Sequence, residues 1–267
     1  MIPTATNASR PSAGGLREGA DDDVLRRVLE GLYRAQLALD PDNGYLREHG
    51  TQIAVDNQIR TFRWYRPHLP LAGTVLDWGC NHGPDSCLMR AALGDRLDLH
   101  SCDFLESGRF PVFHEFGRSA YRKLDDLVLL PFPSNLFDAV IGSGVLEHTA
   151  MDYESLKELH RVLKPEGVLV ISALPNWLSA QEWVRRVIQK RDFHRRLYGR
   201  AEAMQLLKRS GFYPVAAGSH SFFWERLLGA MGLQRWEREL TSALKRLLPL
   251  HVFGSTLCFV ARKVTTM

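Results

Sequence analysis

The order of hydrophobic and polar positions divides the chain into two kinds of segment. Short apolar runs typical of buried strands recur from residue 74 onward. These strands are predicted at Thr74–Trp78, Leu97–Cys102, Tyr121–Leu124, Phe137–Ile141 and Gly167–Ser172. Stretches with helical spacing lie between them, at about 84–93, 105–117 and 152–163. Repeated alternation of strand and helix predicts an α/β fold, with a parallel sheet covered by helices on both faces.

The segments on either side of this region differ in composition. Residues 1–20 are rich in Ser, Ala, Gly, Thr and Pro and predict a flexible tail. Residues 21–69 predict N-terminal helices, one opened by Asp21 and another over about 52–66, separated by a turn cluster at Asp40–Gly44. The last third predicts helices near 179–190 and 200–210, a strand near 213–217, helical segments between 223 and 247, and a final strand at Ser255–Arg262.

Composition narrows the class of protein. Hydrophobic residues make up 45% and charged residues 24% of the 267 positions, which is ordinary globular usage and excludes wholesale disorder. The net charge of +4 is too small to indicate nucleic-acid binding by itself. The four cysteines form no CxxC pair, so no metal site is predicted and reduced thiols are expected. No apolar run is long enough for a membrane span and no secretion signal is visible, so a cytoplasmic location is expected.

A glycine turn follows the first predicted strand. The residues Leu76–Gly83 read LDWGCNHG, where the strand runs into a helix. Glycine lets the backbone approach a ligand closely, and the helix N-terminus presents free N–H groups. Asp103 ends the second strand about 20 residues later, where a carboxylate can accept hydrogen bonds from ribose hydroxyls. The pattern is D-x-G-x-x-x-G rather than GxGxxG, which argues against a nicotinamide site.

Further motifs follow in a fixed order: CDF, DLVLLPFP, FDAV, VLEH and LKPEG. With LDWGCNHG, this set resembles the class I S-adenosylmethionine-dependent methyltransferases of the ubiquinone/menaquinone-biosynthesis-like (type 11) group. The resemblance covers about residues 70–175 and is weaker through about 217. It implies a Rossmann-like sheet of seven strands, mostly parallel, with the last strand antiparallel. It also implies S-adenosylmethionine as the cofactor.

The resemblance assigns roles to the residues at matching positions. Asp77, Gly79, Cys80 and Gly83 would line the methionine and ribose part of the cofactor. Asp103 would hold the ribose hydroxyls, with Phe104 beside the adenine. Asp126 would meet the adenine amino group, Leu127 would donate a backbone N–H to the ring, and the Gly142 carbonyl would face the methionine end. Asn81 departs from the family, which has a glycine there, but Asn tolerates the left-handed conformation better than most residues.

The resemblance also implies a division of the chain. Residues 21–69 would form helices that cover the cofactor site. Residues 70–267 would form the methyltransferase domain, with a helical lid over the substrate within 176–250.

Three histidines are candidates for chemistry. His148 follows the fourth strand on the substrate side, where a neutral imidazole could take a proton from a hydroxyl; a packing or capping role is the alternative. His194 lies in the region that closes over substrate in similar enzymes, and a solvated surface histidine is an equally good interpretation. His82 lies in the glycine turn, where contact with solvent or cofactor is expected.

A basic segment over 185–200 has two interpretations. It holds seven cations: Arg185, Arg186, Lys190, Arg191, Arg195, Arg196 and Arg200. Two tryptophans, Trp177 and Trp183, come just before them. The cations could contact an anionic substrate or a membrane surface, or they could form a solvated helix face. The amphipathic stretches that follow favour a lid on an apolar pocket.

The sequence therefore predicts a methyltransferase acting on a small molecule, with O-methylation of a natural-product, glycan or lipid-like acceptor as the preferred reaction. No nucleic-acid partner is expected, because the Asn/Asp-Pro-Pro-aromatic block of amino-methylating DNA enzymes is replaced by Gly142–Val145. A non-catalytic methyltransferase-like binding protein and a nicotinamide-dependent oxidoreductase are the alternatives. The acceptor and the oligomeric state are left open.

Overall fold

The computed structural model describes residues 18–106, 108–179, 196–220 and 254–264. Three helices precede the sheet: α1 (Glu18–Leu39), α2 (Gly44–His49) and α3 (Gln52–Tyr65). The alternating region follows with β1 (Gly73–Trp78), α4 (Pro84–Leu93), β2 (Leu97–Asp103), α5 (Pro111–Gly117), β3 (Ala120–Lys123), β4 (Phe137–Ser143), α6 (Asp152–Val162) and β5 (Leu163–Pro175). The last described elements are α7 (Arg200–Arg209), β6 (Phe212–His220) and β7 (Thr256–Lys263).

The strands form one seven-stranded sheet in the order β3-β2-β1-β4-β5-β7-β6. The strands from β3 to β5 are parallel to one another, and β7 runs antiparallel to both of its neighbours. The chain order reverses beside β1, which is the switch point at which α/β sheets bind ligands. The predicted fold class, a mostly parallel Rossmann-like sheet with the last strand antiparallel, is confirmed.

The central strands are buried because helices cover both faces of the sheet. Val75 and Leu76 are fully buried, and they point to opposite faces because side chains alternate along a strand. On one face Val75 joins a core built with α1, α3, α4 and α5. On the other, Leu76 joins a core built with α6, α7 and the later strands. This two-sided burial explains why β1 is apolar over consecutive positions rather than alternating ones.

Several predicted boundaries were wrong for local reasons. The 105–117 helix is limited to Pro111–Gly117, because the Leu105 N–H binds the Asp103 carboxylate at 3.2 Å and Gly108 has a φ of 91°. The Asp40–Gly44 turn leads into α2, which the pattern missed; Asn43 caps it by accepting from the Leu46 N–H at 3.0 Å. The LKPEG segment belongs to the start of β5, at an irregularity in its pairing with β4.

Other predicted elements lie partly or wholly outside the described residues. They are the tail before Glu18, the helix near 179–190 and the helical segments between 223 and 247. The described part of the former tail, Glu18–Ala20, belongs to α1. Among the described residues, no helix is both long and apolar enough to cross a membrane.

Candidate cofactor and active site

A cavity of about 770 Å³ opens at the carboxyl ends of β1, β2 and β4. Its size is within the range of small-ligand pockets, about 300–1,000 Å³. It brings together all but two of the cofactor residues that the resemblance suggested: Asp77, Gly79, Cys80, Asn81, Asp103, Phe104, Asp126 and Leu127. Gly83 and Gly142 do not line it. Gly83 forms the N-cap of α4, and Gly142 packs against Trp78 on the neighbouring strand.

The glycine turn is held by its own backbone. The Gly79 and Cys80 N–H groups donate to the Cys102 carbonyl at 2.9 and 3.1 Å, which ties the turn to the end of β2. Gly79 has a φ of 65°, and a Cβ at this position would lie 2.5 Å from Val145. Both the backbone conformation and the close approach therefore require glycine here. The Cys80 side chain is buried, and burial raises the pKa of its thiol, so Cys80 contributes shape rather than thiol chemistry.

Asn81 adopts the left-handed conformation expected for the family's glycine, with a φ of 48°. Its N–H donates to Asp103 Oδ2 at 2.8 Å, and its carbonyl oxygen lies 3.2 Å from His114 Nε2. Its side-chain Oδ1 is buried at the cavity without a hydrogen-bond partner. An orphaned acceptor at the cavity wall is a group that a bound ligand can satisfy.

We expect Asn81→Gly to leave the dissociation constant for S-adenosylmethionine unchanged or lower, since glycine adopts this φ without strain. The backbone N–H that binds Asp103 is retained in the variant. Isothermal titration of wild type and variant measures the effect. Loss of binding in the variant would show instead that the Asn81 amide is a ligand contact.

Asp103 lies at the cavity with its carboxylate held from two sides. Its Oδ2 accepts from the Asn81 N–H, and its Oδ1 accepts from the Leu105 N–H at 3.2 Å. Each carboxylate oxygen has a second lone pair for a ligand hydroxyl. Phe104 is 49% exposed at the same rim. This arrangement provides acceptors for a diol beside an apolar face for a flat ring.

Asp126 lies beyond β3 at the exposed end of the cavity. Its Oδ1 accepts from the Val128 and Leu129 N–H groups at 2.8 and 2.7 Å, and these bonds lower the pKa of Asp126. Asp126 and the exposed Leu127 line the cavity, whereas the adjacent Asp125 does not. Of the two neighbouring acids, Asp126 is therefore the one placed to meet a ligand.

The floor of the cavity holds a second acid that the sequence analysis missed. Asp77 is buried and accepts from the Ser86 N–H and hydroxyl at 3.1 and 2.6 Å. Asp85, in the first turn of α4, is also buried and accepts from the Tyr65 hydroxyl. Burial, with the charge of Asp85, raises the pKa of Asp77 to about 7, and burial raises that of Asp85 as well. Acids are common at helix N-termini, so nothing in the sequence distinguished Asp85.

His82 connects the glycine turn to the N-terminal helices. Its Nε2 lies 2.7 Å from the Tyr33 hydroxyl, which also accepts from Gln58 Nε2 at 2.8 Å, and its Nδ1 lies 3.4 Å from the Tyr45 hydroxyl. Of the two expected contacts, the one with solvent is wrong, because His82 is only 2% exposed; the one with the cofactor stays a prediction, since the residue lines the cavity. Burial lowers the pKa of His82 to about 3, which keeps the ring neutral.

Loss of the Tyr33 hydroxyl should destabilise the fold. Tyr33→Phe leaves His82 Nε2 and the Gln58 amide without their buried partner, a cost of about 1–3 kcal/mol. The free energy of unfolding in urea measures this cost. Tyr213→Phe, at a position 63% exposed, is the matched control and should change little. Equal stability of Tyr33→Phe and wild type would contradict a structural role for this network.

His148 ends the short 3-10 helix Leu146–His148 after β4. Its side chain is 55% exposed and lines the cavity, with Nε2 3.9 Å from Oε1 of the buried Glu147. The structure therefore places His148 at the cavity wall, as the sequence analysis expected, with a carboxylate beside the ring. His49, on α2, lines the same cavity, and its Nδ1 lies 2.9 Å from the Tyr45 carbonyl oxygen. His49 was missed, because no element was predicted between the turn at Asp40–Gly44 and the helix over about 52–66.

The remaining candidates lie largely outside the described residues. His194 is among them, as are the basic residues from Arg185 to Arg195. Arg196 and Arg200 are described: Arg196 pairs with Asp152, and Arg200 lies 3.3 Å from the Ala217 carbonyl oxygen. Contact of the 185–200 segment with a membrane or an anionic substrate therefore stays a prediction.

The cavity suits S-adenosylmethionine on its own chemistry. Acceptors for ribose hydroxyls lie at Asp103, an apolar rim lies at Phe104 and Leu127, and a carboxyl group for a cationic amino-acid end lies at Asp77. The unpartnered Asn81 Oδ1 is a further acceptor at the wall. These residues would hold the adenosine and methionine parts of the cofactor.

Comparison with known proteins agrees with this site. A model of the methyltransferase domain family matches residues 76–171. The tRNA U34 carboxymethyltransferase of Geobacter sp. (strain M21) is 33% identical over 177 residues, which cover 62% of this chain and 54% of the relative. The chain thus spans about half the length of the curated relatives it matches.

Solved structures show the same fold. A SAM-dependent methyltransferase from Thermotoga maritima aligns with a TM-score of 0.58 at 15% identity, over 83% of this chain and 95% of that one. The 1,6-didemethyltoxoflavin-N1-methyltransferase of Burkholderia thailandensis, crystallised with S-adenosylhomocysteine, aligns with a TM-score of 0.51 at 16% identity, over 96% and 94%. At this identity the likeness establishes the fold alone.

The family match places residues 76–171 in a methyltransferase domain, and the sheet has the fold of solved S-adenosylmethionine-dependent methyltransferases. The predicted enzyme class and cofactor are confirmed, while the ubiquinone/menaquinone-like group stays a prediction. One expectation is corrected. Several relatives are named for action on tRNA, and this overturns the expectation that nucleic acid is not a partner. The small net charge was a poor guide, because overall charge does not report how charge is distributed.

Proposed function

We propose that this chain transfers the methyl group of S-adenosylmethionine to an oxygen nucleophile of an acceptor that enters the 770 Å³ cavity. The observation that supports it most is that residues suited to the cofactor and a histidine suited to a hydroxyl acceptor line one cavity. When bound, the cofactor supplies a methyl group that is already activated by its sulfonium. The protein must then orient the acceptor, exclude water and take up a proton.

His148 is the proposed general base. Its exposed ring lines the cavity after β4, where an acceptor could reach it. Neutral imidazole would take the proton of the acceptor hydroxyl as the oxygen attacks the methyl carbon, which contributes about 10²–10⁴-fold in rate. Glu147, whose Oε1 lies 3.9 Å from His148 Nε2, would stabilise the imidazolium that forms.

Two acceptor classes are supported by different observations. The cavity volume suits a small molecule bearing a hydroxyl, such as a natural-product, glycan or lipid-like acceptor. Several relatives are named tRNA U34 carboxymethyltransferase, which supports a second candidate, a uridine of tRNA. Either acceptor would present an oxygen nucleophile to the same methyl donor.

The first experiment tests the cofactor. Thermal unfolding is followed with S-adenosylmethionine, S-adenosylhomocysteine or NAD at saturating concentration, because a ligand of the native state raises the unfolding midpoint. The adenosyl ligands should raise it, and NAD should not. A shift with NAD alone would favour the oxidoreductase, and no shift with any ligand would favour a non-catalytic protein.

The second experiment separates the acceptors. Cofactor labelled in its methyl group is incubated with bulk tRNA or with panels of hydroxylated small molecules, and transferred label is counted. Label in a small molecule supports the first class, and label in tRNA supports the second. Label on nitrogen or carbon of the product, rather than oxygen, would contradict the proposed O-methylation.

A further inference from the structure

Asp85 is a buried acid at the cavity that the proposed chemistry does not use. It is 8% exposed and lines the cavity together with Asp77. The Tyr65 hydroxyl donates to its Oδ1, and the Ser143 hydroxyl binds the carboxyl group as well. Ser143 in turn accepts from the Ser172 hydroxyl at 2.8 Å. Hydrogen bonds from α3 and β4 thus fix the orientation of the Asp85 carboxyl.

Two neighbouring buried acids are costly unless a cation compensates them. Within the described parts of the chain, the cavity lining contains no Lys or Arg, although it contains five acids: Asp77, Asp85, Asp103, Asp126 and Glu147. Burial raises the pKa of Asp77 and of Asp85, and the charge of Asp85 raises that of Asp77 further. The site is therefore electrostatically prepared for a cationic group from a ligand.

The strand order indicates which part of the cofactor reaches this pair. Asp126 follows β3 and Asp103 ends β2, so the adenine and ribose are assigned to these two strands. Asp77 lies in β1, and Asp85 binds Ser143 at the end of β4. From β3 to β4 there are three strand spacings, roughly 14 Å. A cofactor extended across these strand ends would place its amino-acid end between Asp77 and Asp85.

We propose that Asp85 is a specificity-determining residue that, with Asp77, binds the ammonium group of the cofactor's methionine part. This inference rests on the proposed function, since it assumes that S-adenosylmethionine binds here. The ammonium group would lie between the two carboxylates. The methionine carboxylate would be repelled by them and directed away, which fixes the orientation of the amino-acid end.

A truncated ligand isolates this contact. 5′-Methylthioadenosine keeps the adenine, the ribose and the sulfur of the cofactor, but has no amino-acid part. The dissociation constants of S-adenosylhomocysteine and 5′-methylthioadenosine are measured by isothermal titration for wild type, Asp85→Asn and Asp103→Asn. Asp85→Asn should weaken S-adenosylhomocysteine by about tenfold or more, the effect of a lost charge-assisted bond, and change 5′-methylthioadenosine less than about twofold.

Asp103→Asn is the matched control, because Asp103 is assigned to the ribose that both ligands contain. It should weaken both ligands by a similar factor. If Asp85→Asn also weakens the two ligands equally, or weakens neither, the inference is wrong. If wild type binds 5′-methylthioadenosine and NAD but neither S-adenosyl ligand, the proposed function fails first, and the two failures are distinguishable.

A second variant guards against a folding artefact. Asp85→Asn should unfold at the same temperature as wild type or higher, because one of two neighbouring buried acids becomes neutral. Tyr65→Phe keeps the aromatic packing but removes the donor to Asp85. It should reproduce part of the selective loss for S-adenosylhomocysteine. A folded Tyr65→Phe protein with equal losses for both ligands would count against Asp85.

Proton release gives a readout that a purely structural role would not move. Several titratable groups face the pair: Tyr65 on α3, Cys80 in the turn, Cys87 on α4, Asp103 on β2 and Cys258 on β7. Burial raises the pKa of Tyr65 and of the three thiols above their ordinary values, so they stay protonated near neutral pH.

The carboxyl pair is therefore the group expected to lose a proton when the ammonium group binds. At pH 6.5, titrations of S-adenosylhomocysteine in phosphate and in Tris should give different heats for wild type, and a smaller difference for Asp85→Asn, in which the buried Asp77 is the one remaining carboxyl of the pair. Equal heats for wild type in the two buffers would contradict the ammonium site.

Discussion

The Asp103→Ala variant is expected to bind S-adenosylmethionine about tenfold or more weakly than wild type. The substitution removes a carboxylate assigned to the ribose hydroxyls, and a hydrogen bond to a charged group contributes about 1.5–3 kcal/mol. It also removes the acceptor that holds the Asn81 N–H at 2.8 Å, so the glycine turn loses a support at the same time. Both effects weaken binding, and isothermal titration measures their sum.

Asp98→Ala is the matched control for this experiment. Asp98 lies on the same strand as Asp103, but its side chain is 70% exposed and contacts His100 at 3.2 Å. An exposed polar contact of this kind contributes little to stability. The control should therefore bind the cofactor as wild type does. An unchanged dissociation constant in Asp103→Ala would remove Asp103 from the cofactor site.

The first strand and the turn after it could be predicted because the signals there are local. The apolar run Val75–Trp78 and the glycines that follow it mark a buried parallel strand and its turn, whatever the rest of the chain does. Asp103 was placed by its distance along the sequence from that turn. The structure brings both to one cavity, because the carboxyl ends of adjacent parallel strands meet at one edge of the sheet.

The helical side of the cavity could not be predicted in the same way. Tyr45 and His49 lie on a six-residue helix that directly follows the Asp, Pro, Asn and Gly residues of a predicted turn, in a stretch with too few residues to show helical spacing. The contact of Tyr33 with His82 joins residues 49 positions apart. Such long-range pairs arise from tertiary packing, which the spacing of residues in a single sequence does not encode.

Asp85 shows a different limit. The acid follows Gly83 and Pro84 in the first turn of α4, where a carboxylate is favourable beside any helix N-terminus. Its partners Tyr65 and Ser143 come from α3 and β4, so its burial becomes visible when three elements are assembled. The sequence therefore indicated an ordinary helix start at a position that the structure places at the cavity.

The largest expected effect on catalysis is that of His148→Ala, which should lower kcat by about 10²-fold or more, the usual scale of general-base assistance. His148 lines the cavity but is half-exposed, and the cavity residues assigned to the cofactor lie at the ends of β1, β2 and β3 and in α4 rather than after β4. The dissociation constant for S-adenosylmethionine should therefore stay near that of wild type. Steady-state kinetics and isothermal titration on the same preparation separate the two effects.

The pH profile adds a second readout. Neutral imidazole is the competent form, so the wild-type rate should fall as pH is lowered and the ring becomes protonated. The His148→Ala variant should lack this dependence on acid, since the group that titrates is gone. A variant that keeps the wild-type profile at a lower rate would show that His148 positions the acceptor rather than accepting its proton.

Two other histidines provide the comparison that decides the assignment. His49 lines the same cavity from α2, and its Nδ1 lies 2.9 Å from the Tyr45 carbonyl oxygen. A ring that donates from Nδ1 to a carbonyl carries its lone pair on Nε2, which makes His49 chemically competent as well. His194, outside the described residues, is the third candidate.

Of the three variants His49→Ala, His148→Ala and His194→Ala, only His148→Ala should lose both the rate and the fall in rate at low pH. If the loss falls on His49 or His194 instead, the base reaches the acceptor from the helical side of the cavity or from the segment that precedes α7, and His148 is structural.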